Sequence, residues 1–408
     1  MIRTRYGVSP WFDAVPSSKR PQYAAYRGAS SSPVVIIGGG MTGCMTAYAC
    51  AAAGARVVLL EADRIGHGGS SRASGLFTGE ASASFRDLEQ SAGRRIARAA
   101  FDASRRASRD LAATVKRLGI KAGLELHDAL RIVPPGMSDK AARREASERH
   151  EAGLEASWVS PAALARQTAI DGAGAMRLRD WGAADPVRLL LGFASAATRR
   201  GATFFEKSSV RRITFDRKQA VVILENGSIT TPKVMVCTGE PTDLFRPLKR
   251  HFRFEERYVV ITEPLSAAVR SQLGQRSSII CDTETPAHQL RWTDDHRVVF
   301  SGADQKRTPA RQRERVLVQR TGQLMYELSR LYPAISGAIP THGWDTPLAH
   351  AADDVMYAGP HRNFPHQFFA FGTLHDPARA FLASRILLRC ALGETNRDNE
   401  TFAFARNL

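Results

Sequence analysis

Residues 34–61 read VVIIGGGMTGCMTAYACAAAGARVVLLE, and this stretch decides the fold. The run Val34–Ile37 is wholly apolar, as expected of a parallel strand that is buried on both faces. The next six residues match G-x-G-x-x-G and lead into an Ala-rich segment, which we predict to be a helix over about residues 41–53. A second apolar run, Val57–Leu60, ends at Glu61. Strand, glycine turn, helix, strand and acid in this order predict a nucleotide-binding βαβ unit.

The glycines of the pattern have separate physical roles. Gly38 permits the tight turn, Gly40 lets the backbone approach a pyrophosphate, and Gly43 allows the helix to pack closely on the strand. The helix begins at Met41 and Thr42, where unpaired N–H groups and the positive end of the helix dipole attract phosphate oxygens. These residues are therefore predicted to bind the phosphates of a dinucleotide.

The acid at the end of the second strand bears on which nucleotide binds. Glu61 lies roughly 20 residues after the glycines, where a carboxylate hydrogen-bonds the adenosine ribose. It favours an unmodified ribose because it would repel a 2′-phosphate, although Arg64 is close by. A structural glycine turn that binds no nucleotide is the alternative, and the complete βαβ context argues against it.

Composition limits the partners that this chain can have. Its 408 residues predict two domains, and its formal net charge is +17. This charge fits either anionic partners or an Arg-rich solvated surface, and we favour the second because no basic patch with interleaved aromatic residues accompanies it. We therefore predict no nucleic-acid partner. With no apolar run long enough for a membrane span and no secretory signal, we predict a cytoplasmic location and leave the oligomeric state open.

The cysteines predict neither a disulfide framework nor a metal site. None forms a C-x-x-C pair, and buried thiols in a reducing compartment explain them more simply. They are Cys44, Cys50, Cys237, Cys281 and Cys390.

A second glycine-rich loop follows the acid almost at once. Residues 66–76 read GHGGSSRASGL. Backbone N–H groups, the hydroxyls of Ser70 and Ser71 and the guanidinium of Arg72 would form a second anion cradle beside the first. A plain surface loop is the alternative, and the position of the loop next to the first phosphate site favours a role with a long dinucleotide.

The two motifs GGGMTG…LLE and GGSSRASG together resemble the glycine/D-amino-acid oxidase (DAO-like) family of FAD-dependent oxidoreductases. This resemblance implies FAD rather than NAD. It implies that the first motif holds the ADP half of FAD, and that the second, through Gly75 and Leu76, reaches the pyrophosphate and the flavin edge. It also implies that Val210 borders the adenine and that Thr238 and Gly239 close over the cofactor.

The implied fold class is α/β, with a Rossmann-like FAD-binding domain and a discontinuous α+β substrate domain built on a mixed or antiparallel sheet. The predicted divisions are an N-terminal arm at residues 1–32, an FAD-binding domain at 33–90, 183–245 and 336–408, and a substrate domain at 91–182 and 246–335. Aromatic residues in the arm predict that it packs along the body. A long amphipathic helix is predicted over residues 85–119.

Candidate substrate residues lie in the predicted strands between residues 252 and 301. Tyr258, His288, Arg291 and Trp292 alternate there, so about half of them should share one face of a sheet. In the family this sheet covers the flavin. Arg291 is our candidate for binding a substrate carboxylate, since a guanidinium offers it two parallel hydrogen bonds. Tyr258 is a comparable candidate, and an Arg291 that faces solvent is the alternative.

The C-terminal part resembles the family with one departure. In the family a glycine-rich turn and the N-terminus of the last helix face the flavin pyrimidine, where the helix end stabilises negative charge. Here the turn reads GTLHDP over residues 372–377. His375 then either acts as a cation beside the flavin or makes the turn bulkier. His342 lies roughly where some relatives carry a cysteine that links flavin covalently, so no covalent bond is assumed.

The predicted function is oxidation of a C–N bond by hydride transfer to flavin N5. The substrate would be an amino acid, an N-methyl amino acid or a related amine, and O2 or another acceptor would receive the electrons. Two alternatives stay open. One is an NAD-dependent dehydrogenase that uses the same βαβ unit, and the other is a non-catalytic FAD-binding protein.

Overall fold

The computed structural model of the protein describes residues 3–81, 83–276 and 278–407. Its strands are β1 (Arg5–Tyr6), β2 (Gly28–Ser31), β3 (Val34–Ile37), β4 (Val57–Leu60), β5 (Leu76–Phe77), β6 (Glu125–Val133), β7 (Ala156–Val159), β8 (Gly174–Ala183), β9 (Thr203–Phe205), β10 (Val210–Phe215), β11 (Ala220–Leu224), β12 (Gly227–Thr231), β13 (Val234–Gly239), β14 (Phe252–Thr262), β15 (Ile279–Asp282), β16 (Gln289–Trp292), β17 (Val298–Lys306), β18 (Pro340–Ala351), β19 (Tyr357–Pro360) and β20 (Gln367–Phe371). Its α-helices are α1 (Met41–Ala52), α2 (Phe85–Ala92), α3 (Arg94–Leu118), α4 (Lys140–Glu151), α5 (Pro161–Thr168), α6 (Pro186–Thr198), α7 (Ala267–Arg270), α8 (Arg313–Leu331), α9 (Pro377–Leu392) and α10 (Arg397–Thr401).

The opening stretch forms the centre of a six-stranded sheet in the order β19-β20-β13-β3-β4-β9. Strands β3, β4, β9, β13 and β20 run parallel, and only β19 pairs antiparallel. All four residues of β3 are buried, as their unbroken apolar pattern predicts. The predicted βαβ unit is therefore confirmed. Helix α1 ends one residue earlier than predicted and packs between α6 and α9.

The second large sheet is mixed, in the order β1-β18-β14-β17-β16-β15-β6-β8-β5 with β7 beside β8. Its strands β14, β17, β16 and β18 pair antiparallel. Helix α8 covers one face, where Tyr258, Leu290 and Phe300 pack against Leu324 and Leu328. The α/β architecture with a mixed second sheet is as predicted.

The other face of this sheet is turned toward α6, which packs against α1 of the six-stranded sheet. Val259, Ile261, Val299 and Trp344 share it, and they form one apolar cluster with Val187 of α6 and with Trp11. Because residues paired across strands lie on the same face, Arg291 belongs here too, since it pairs with Val299. We call this surface the inner face.

The predicted helix over residues 85–119 is wrong as one element. It is broken into α2 and α3 at Gly93, whose φ of 83° lies in the left-handed region that glycine adopts without strain. Ser84 begins α2 by accepting a hydrogen bond from the N–H of Asp87 at 3.1 Å. The amphipathic pattern continues on both sides of the break, so it predicted one helix and did not reveal the interruption at Gly93.

The N-terminal arm packs along the body, as predicted. Its strand β1 pairs parallel with β18, and β2 pairs parallel with β12 of a four-stranded sheet. The arm thus bridges separate sheets. Strand β18 lies in the ten-stranded sheet, although the predicted boundary at residue 336 placed it with the cofactor-binding segments; the division into domains otherwise stays a prediction. Within the described residues no helix has the length and hydropathy of a membrane span.

Candidate cofactor and substrate site

The first glycine turn leaves no room for side chains. A Cβ on Gly38, whose φ is 105°, would lie 2.7 Å from the carbonyl oxygen of Cys237. A Cβ on Gly43 would lie 1.8 Å from the carbonyl oxygen of Gly38, so α1 packs directly on the turn. Gly40 precedes α1 without any side-chain cap. The backbone here is shaped for close approach by a ligand at the helix N-terminus.

A hydrogen bond to one serine joins the two glycine-rich loops that were predicted to bind anions. The buried hydroxyl of Ser70 accepts a hydrogen bond from the N–H of Met41 at 2.9 Å. A Cβ on Gly40 would lie 3.0 Å from the same hydroxyl oxygen. Ser71 instead donates to the carbonyl of Gly68 at 3.0 Å and holds the loop in shape.

Glu61 stands beside the first turn as predicted. One carboxylate oxygen accepts from the N–H of Gly39 at 2.6 Å, and the other accepts from the N–H of Asp63 at 2.9 Å. A carboxylate has about four acceptor positions, so it retains capacity for the hydroxyls of a ribose. The backbone bonds fix its orientation.

These groups line one cavity of about 230 Å³. Its lining includes Glu61 and Val210 as well as Thr373 and His375. The predicted cofactor residues that line it are Gly38, Gly40, Met41, Thr42, Glu61, Ser70, Val210, Thr238 and Gly239. We call this lining the cradle.

Arg72 was predicted to bind an anion, and the structure corrects this. Its side chain forms an ion pair with the buried carboxylate of Asp345, and its Nε donates to the Asp345 carbonyl at 2.7 Å. Arg313 reaches the same carboxylate at 2.8 Å. Burial would raise the pKa of Asp345, but the hydrogen bond from Arg313 and the charge of Arg72 outweigh it and lower that pKa. Arg72 therefore ties the second loop to β18.

Of the two alternatives predicted for His375, a cation beside the flavin or a bulkier turn, the structure disagrees with the cation. Its ring is partly shielded from solvent and lines the cradle, and desolvation lowers its pKa to about 4, so the ring is neutral near pH 7. Its Nε2 lies 2.8 Å from the carbonyl oxygen of Pro347, to which it donates. The alternative, a bulkier turn, agrees with the structure, because Leu374 and His375 both adopt positive φ.

The N-terminus of α9 is occupied by a residue that the sequence analysis missed. One oxygen of Asp376 accepts from the N–H groups of Ala378 and Arg379 at 2.8 and 3.1 Å. The other accepts from the N–H and the hydroxyl of Thr78 at 2.9 and 3.1 Å. This helix end is thus capped internally, unlike the open end that the resemblance implied. The Asp-Pro pair at residues 376–377 was the available signal, since it is typical of a helix start.

The inner face meets the second loop at three successive carbonyl oxygens. Trp344 Nε1 donates to the carbonyl of Arg72 at 2.8 Å, and Trp11 Nε1 donates to that of Ala73 at 2.8 Å. Arg291 Nε donates to the carbonyl of Ser74 at 2.9 Å. These three hydrogen bonds hold the second loop against the ten-stranded sheet and against the N-terminal arm.

One guanidinium nitrogen of Arg291 makes no hydrogen bond within the described part of the chain. The residue is 6% exposed, and its Nη2 is buried without a hydrogen-bond partner among the described residues. A Cβ on Gly75, whose φ is 78°, would lie 2.7 Å from this Nη2, so the loop glycine makes room for the guanidinium. Burial lowers the pKa of Arg291 to about 10, and the nearby Asp185 opposes the shift, so the group stays charged at neutral pH.

Arg291 lines a cavity of about 470 Å³ between the arm and the inner face. Trp11, Trp292, Asp185 and His342 also line it, and Nε2 of His342 is a second buried atom without a hydrogen-bond partner in the described part of the chain. We call this space the Arg291 cavity. The solvent-facing alternative for Arg291 is wrong.

Tyr258 was the other substrate candidate, and the structure places it on the opposite face. It packs among the side chains beneath α8, and its hydroxyl bonds to Glu256 and accepts from Gln305 Nε2 at 2.9 Å. His288 lies on this face as well, stacked on Phe300. The alternation was predicted correctly, but it separates Tyr258 from Arg291. Leu76, the last residue of the second motif, lies in β5 and pairs with Ala183 of β8.

Comparison with known proteins identifies the class. Residues 33–378 match the family model described as FAD dependent oxidoreductase (DAO), and the chain belongs to this family. FAD is accordingly its cofactor. The structure fits this cofactor, since glycines without room for a Cβ, an uncapped helix N-terminus and an oriented carboxylate line one cavity.

Individual relatives are distant. The chain is 24% identical over 358 residues to a protein named probable oxidoreductase OrdL from Rhizobium meliloti, which covers 83% of this chain and 78% of that protein. It is 28% identical over 280 residues to gamma-glutamylputrescine oxidoreductase from Escherichia coli, covering 66% and 64% respectively. The match to OrdL from Haemophilus influenzae, at 25% identity, spans 52% of this chain and about half, 48%, of that protein.

Solved structures share the fold. Glycine oxidase from Geobacillus kaustophilus superposes with a TM-score of 0.76 at 17% identity, covering 92% of this chain and 98% of that one. L-amino acid deaminase from Proteus myxofaciens, in complex with anthranilate, gives a TM-score of 0.77 at 14% identity and covers 95% and 96%.

Proposed function

We propose that this enzyme oxidises a C–N bond of an amino acid, an N-methyl amino acid or a closely related amine, and that Arg291 binds the substrate carboxylate. Support comes from the names of its relatives, among them a glycine oxidase, an L-amino acid deaminase and a gamma-glutamylputrescine oxidoreductase. All of these act on amines or amino acids by name. The residues of this chain supply the argument for the carboxylate.

The single observation that carries the proposal is the unpartnered Nη2 of Arg291. Arg291 donates through Nε to Ser74 and lies over the Trp11 ring at 5.2 Å, but a buried N–H group that makes no hydrogen bond is costly, and such groups are normally satisfied. The described residues leave the buried Nη2 without a hydrogen-bond partner, and the Arg291 side chain lines a cavity large enough for an amino acid. A carboxylate is the anion that a guanidinium binds best among small substrates.

The same cavity offers features for the rest of an amino acid. Asp185 brings a negative charge near the guanidinium, so both ends of a zwitterion meet an opposite charge. Trp11 and Trp292 provide apolar walls for a side chain or an N-methyl group. Arg188, which lies 3.5 Å from Asp185, is half-exposed and marks the outer edge.

The chain's own residues bind and orient the substrate. Arg291 holds the carboxylate while its Nε stays bonded to Ser74 of the second loop, so the substrate is fixed relative to the cofactor motif. Trp11 covers the loop and keeps water from it. FAD, when bound, supplies the two-electron acceptor. O2 or another oxidant as final acceptor, and a cytoplasmic location, stay predictions.

The test uses matched ligand pairs under anaerobic conditions. The FAD-loaded enzyme is mixed with amino acids, N-methyl amino acids and the primary amide of each, and loss of the flavin absorbance is recorded. We expect reduction by at least one amine, with each acid faster than its amide. Reduction by no amine in a broad panel, or equal rates for acid and amide, would contradict the proposal.

A further inference from the structure

A third cavity, of about 270 Å³, lies on the face of the ten-stranded sheet that α8 covers. It shares no lining residue with the cradle. Its wall contains the carboxylates of Asp171, Asp282, Glu284 and Glu327, against one cation, Arg330. In a chain with a formal charge of +17 this is a concentration of negative charge that the flavin chemistry does not explain.

Three side chains on one short loop direct ligand atoms toward a common point. Asp282 ends β15, Glu284 follows, and His288 directly precedes β16. One oxygen from each carboxylate and one ring nitrogen of His288 lie within 4.8 Å of one another. Nδ1 of His288 is 2.7 Å from Asp282 Oδ2 and 3.7 Å from Glu284 Oε2.

The loop itself holds Asp282 in this orientation. Its Oδ1 accepts from the N–H of Glu284 at 3.2 Å and from the N–H of His288 at 2.9 Å. The first oxygen is thus used by the backbone, which leaves Oδ2 directed at the imidazole. Glu284 is half-exposed, so the site is open to ions from solvent.

The other ring nitrogen of His288 has a separate partner. Nε2 is 3.0 Å from Glu327 Oε2 on α8, and Gln323 donates to the second oxygen of Glu327 at 2.8 Å. Metal-binding histidines usually donate their second N–H to a carboxylate, which fixes the tautomer. With that N–H given to Glu327, the Nδ1 lone pair of a neutral His288 faces two carboxylate oxygens, and either a proton or a metal cation between them removes the repulsion.

We propose that His288 Nδ1, Asp282 Oδ2 and Glu284 Oε2 bind a divalent transition-metal ion of the Zn²⁺ type, with Glu327 as a positioning residue. One nitrogen and two oxygens suit such an ion, and water completes the coordination. Tetrahedral Zn²⁺ places its ligand atoms roughly 3.4 Å apart. The distance of 3.7 Å from Nδ1 to Glu284 is close to this value, and the distance of 2.7 Å to Asp282 has to lengthen for an ion to enter.

No metal site was predicted from the sequence because none of the five cysteines forms a C-x-x-C pair. The spacing D-x-E-x-x-x-H on a loop between strands is common by chance. Glu327, which completes the arrangement, lies 39 residues away from His288 in the chain. Only the fold brings it to the ring.

The test is zinc binding by the FAD-loaded protein after treatment with a chelator. Calorimetric titration with ZnCl₂ should show about one tight site per chain. His288→Gln and Glu284→Gln should lose this site, and Glu327→Gln should keep it with an affinity about 10–100-fold weaker. The control is His296→Asn, which alters an exposed histidine beside Asp294 and Asp295 at a positive φ that asparagine tolerates.

Flavin content reports the folding of every variant, so a misfolded protein is recognised. Wild-type protein that binds Zn²⁺ no more tightly than folded His288→Gln would overturn the proposal, and His288 would then be a protonated clamp between carboxylates. Equal weakening in His296→Asn would overturn it as well, because the binding would then be non-specific.

Discussion

Two arginines contact the same loop, and their surroundings differ. Arg72 projects from the second glycine motif and is paired with the buried Asp345. Arg291 reaches the loop from the inner face, and its Nη2 has no partner among the described residues. Both were predicted to bind anions, Arg72 as part of the glycine- and serine-rich loop and Arg291 because a guanidinium offers a carboxylate two parallel hydrogen bonds. The difference teaches that the partner already present, rather than the residue type, decides whether a buried cation is available to a ligand.

The same contrast separates the cradle from the Arg291 cavity. The cradle is made of backbone N–H groups, glycines and one oriented carboxylate. The Arg291 cavity is made of side chains from the arm, the sheet and α6. Damage to the first should therefore remove FAD, whereas damage to the second should leave FAD bound and change the substrate. The following predictions test this separation.

The largest expected effect belongs to Gly40→Val, which should abolish FAD binding. The first added carbon would already lie 3.0 Å from the Ser70 hydroxyl, and the branches would enter the pyrophosphate's approach. Flavin per folded chain is the measurement. Gly322→Val is the matched control, because a Cβ at Gly322, which is exposed on α8 and outside the cradle, meets no atom within 4 Å. Equal flavin in wild type and Gly40→Val would contradict the position of the cradle.

The next effect belongs to Asp345→Asn, which leaves Arg72 and Arg313 without their shared carboxylate. Breaking a buried ion pair by removing one partner costs about 3–5 kcal/mol, and partial exposure of Arg72 and Arg313 places this change at the lower end. Thermal unfolding at pH 7 measures it. An unchanged midpoint would show that the pair contributes nothing to the free energy of unfolding.

The pH dependence of the same variant sharpens that test. The pKa of Asp345 is lowered in the folded protein. Its contribution is therefore present above the ordinary carboxyl pKa of about 4 and is lost as the pH falls through the lower folded value. The stability difference between wild type and Asp345→Asn should shrink below about pH 4. A difference that stays constant down to pH 3 would contradict this assignment.

A smaller effect is expected for Arg291→Met, which should lower kcat/KM for a carboxylate substrate by about ten- to a hundredfold. One charged hydrogen bond is worth roughly 1.5–3 kcal/mol, and methionine makes none. Arg291→Lys keeps the charge without the two-pronged geometry and should fall between. Flavin content should stay normal. Arg144→Met, which alters an exposed arginine on α4 outside the lining of both cavities, is the control and should change kcat/KM little.

Local patterns predicted the parts of the fold that are made by neighbours in sequence. The apolar run at β3, the glycines and the Ala-rich α1 lie within about thirty residues of one another, so the βαβ unit and its binding of a dinucleotide could be predicted, whereas FAD in particular was implied by the family resemblance. Glu61 and Gly39 are only 22 residues apart. The second sheet's alternation was equally visible in β14 and β16.

Contacts between distant segments could not be predicted in this way. The Arg72–Asp345 pair joins residues 273 apart, and the bonds of Asp376 to Thr78 join residues 298 apart. Alternation in β14 shows that Tyr258 and Val259 face opposite ways, but not which of the two faces meets α8. That choice depends on packing between whole elements, and it decided between Tyr258 and Arg291.

The visible spectrum of the purified protein, taken before and after denaturation, tests the central claim most directly. The cradle predicts a yellow protein that releases FAD, in about one equivalent per chain, when it is unfolded. A colourless protein that FAD cannot reconstitute, but that binds NAD, would contradict the account.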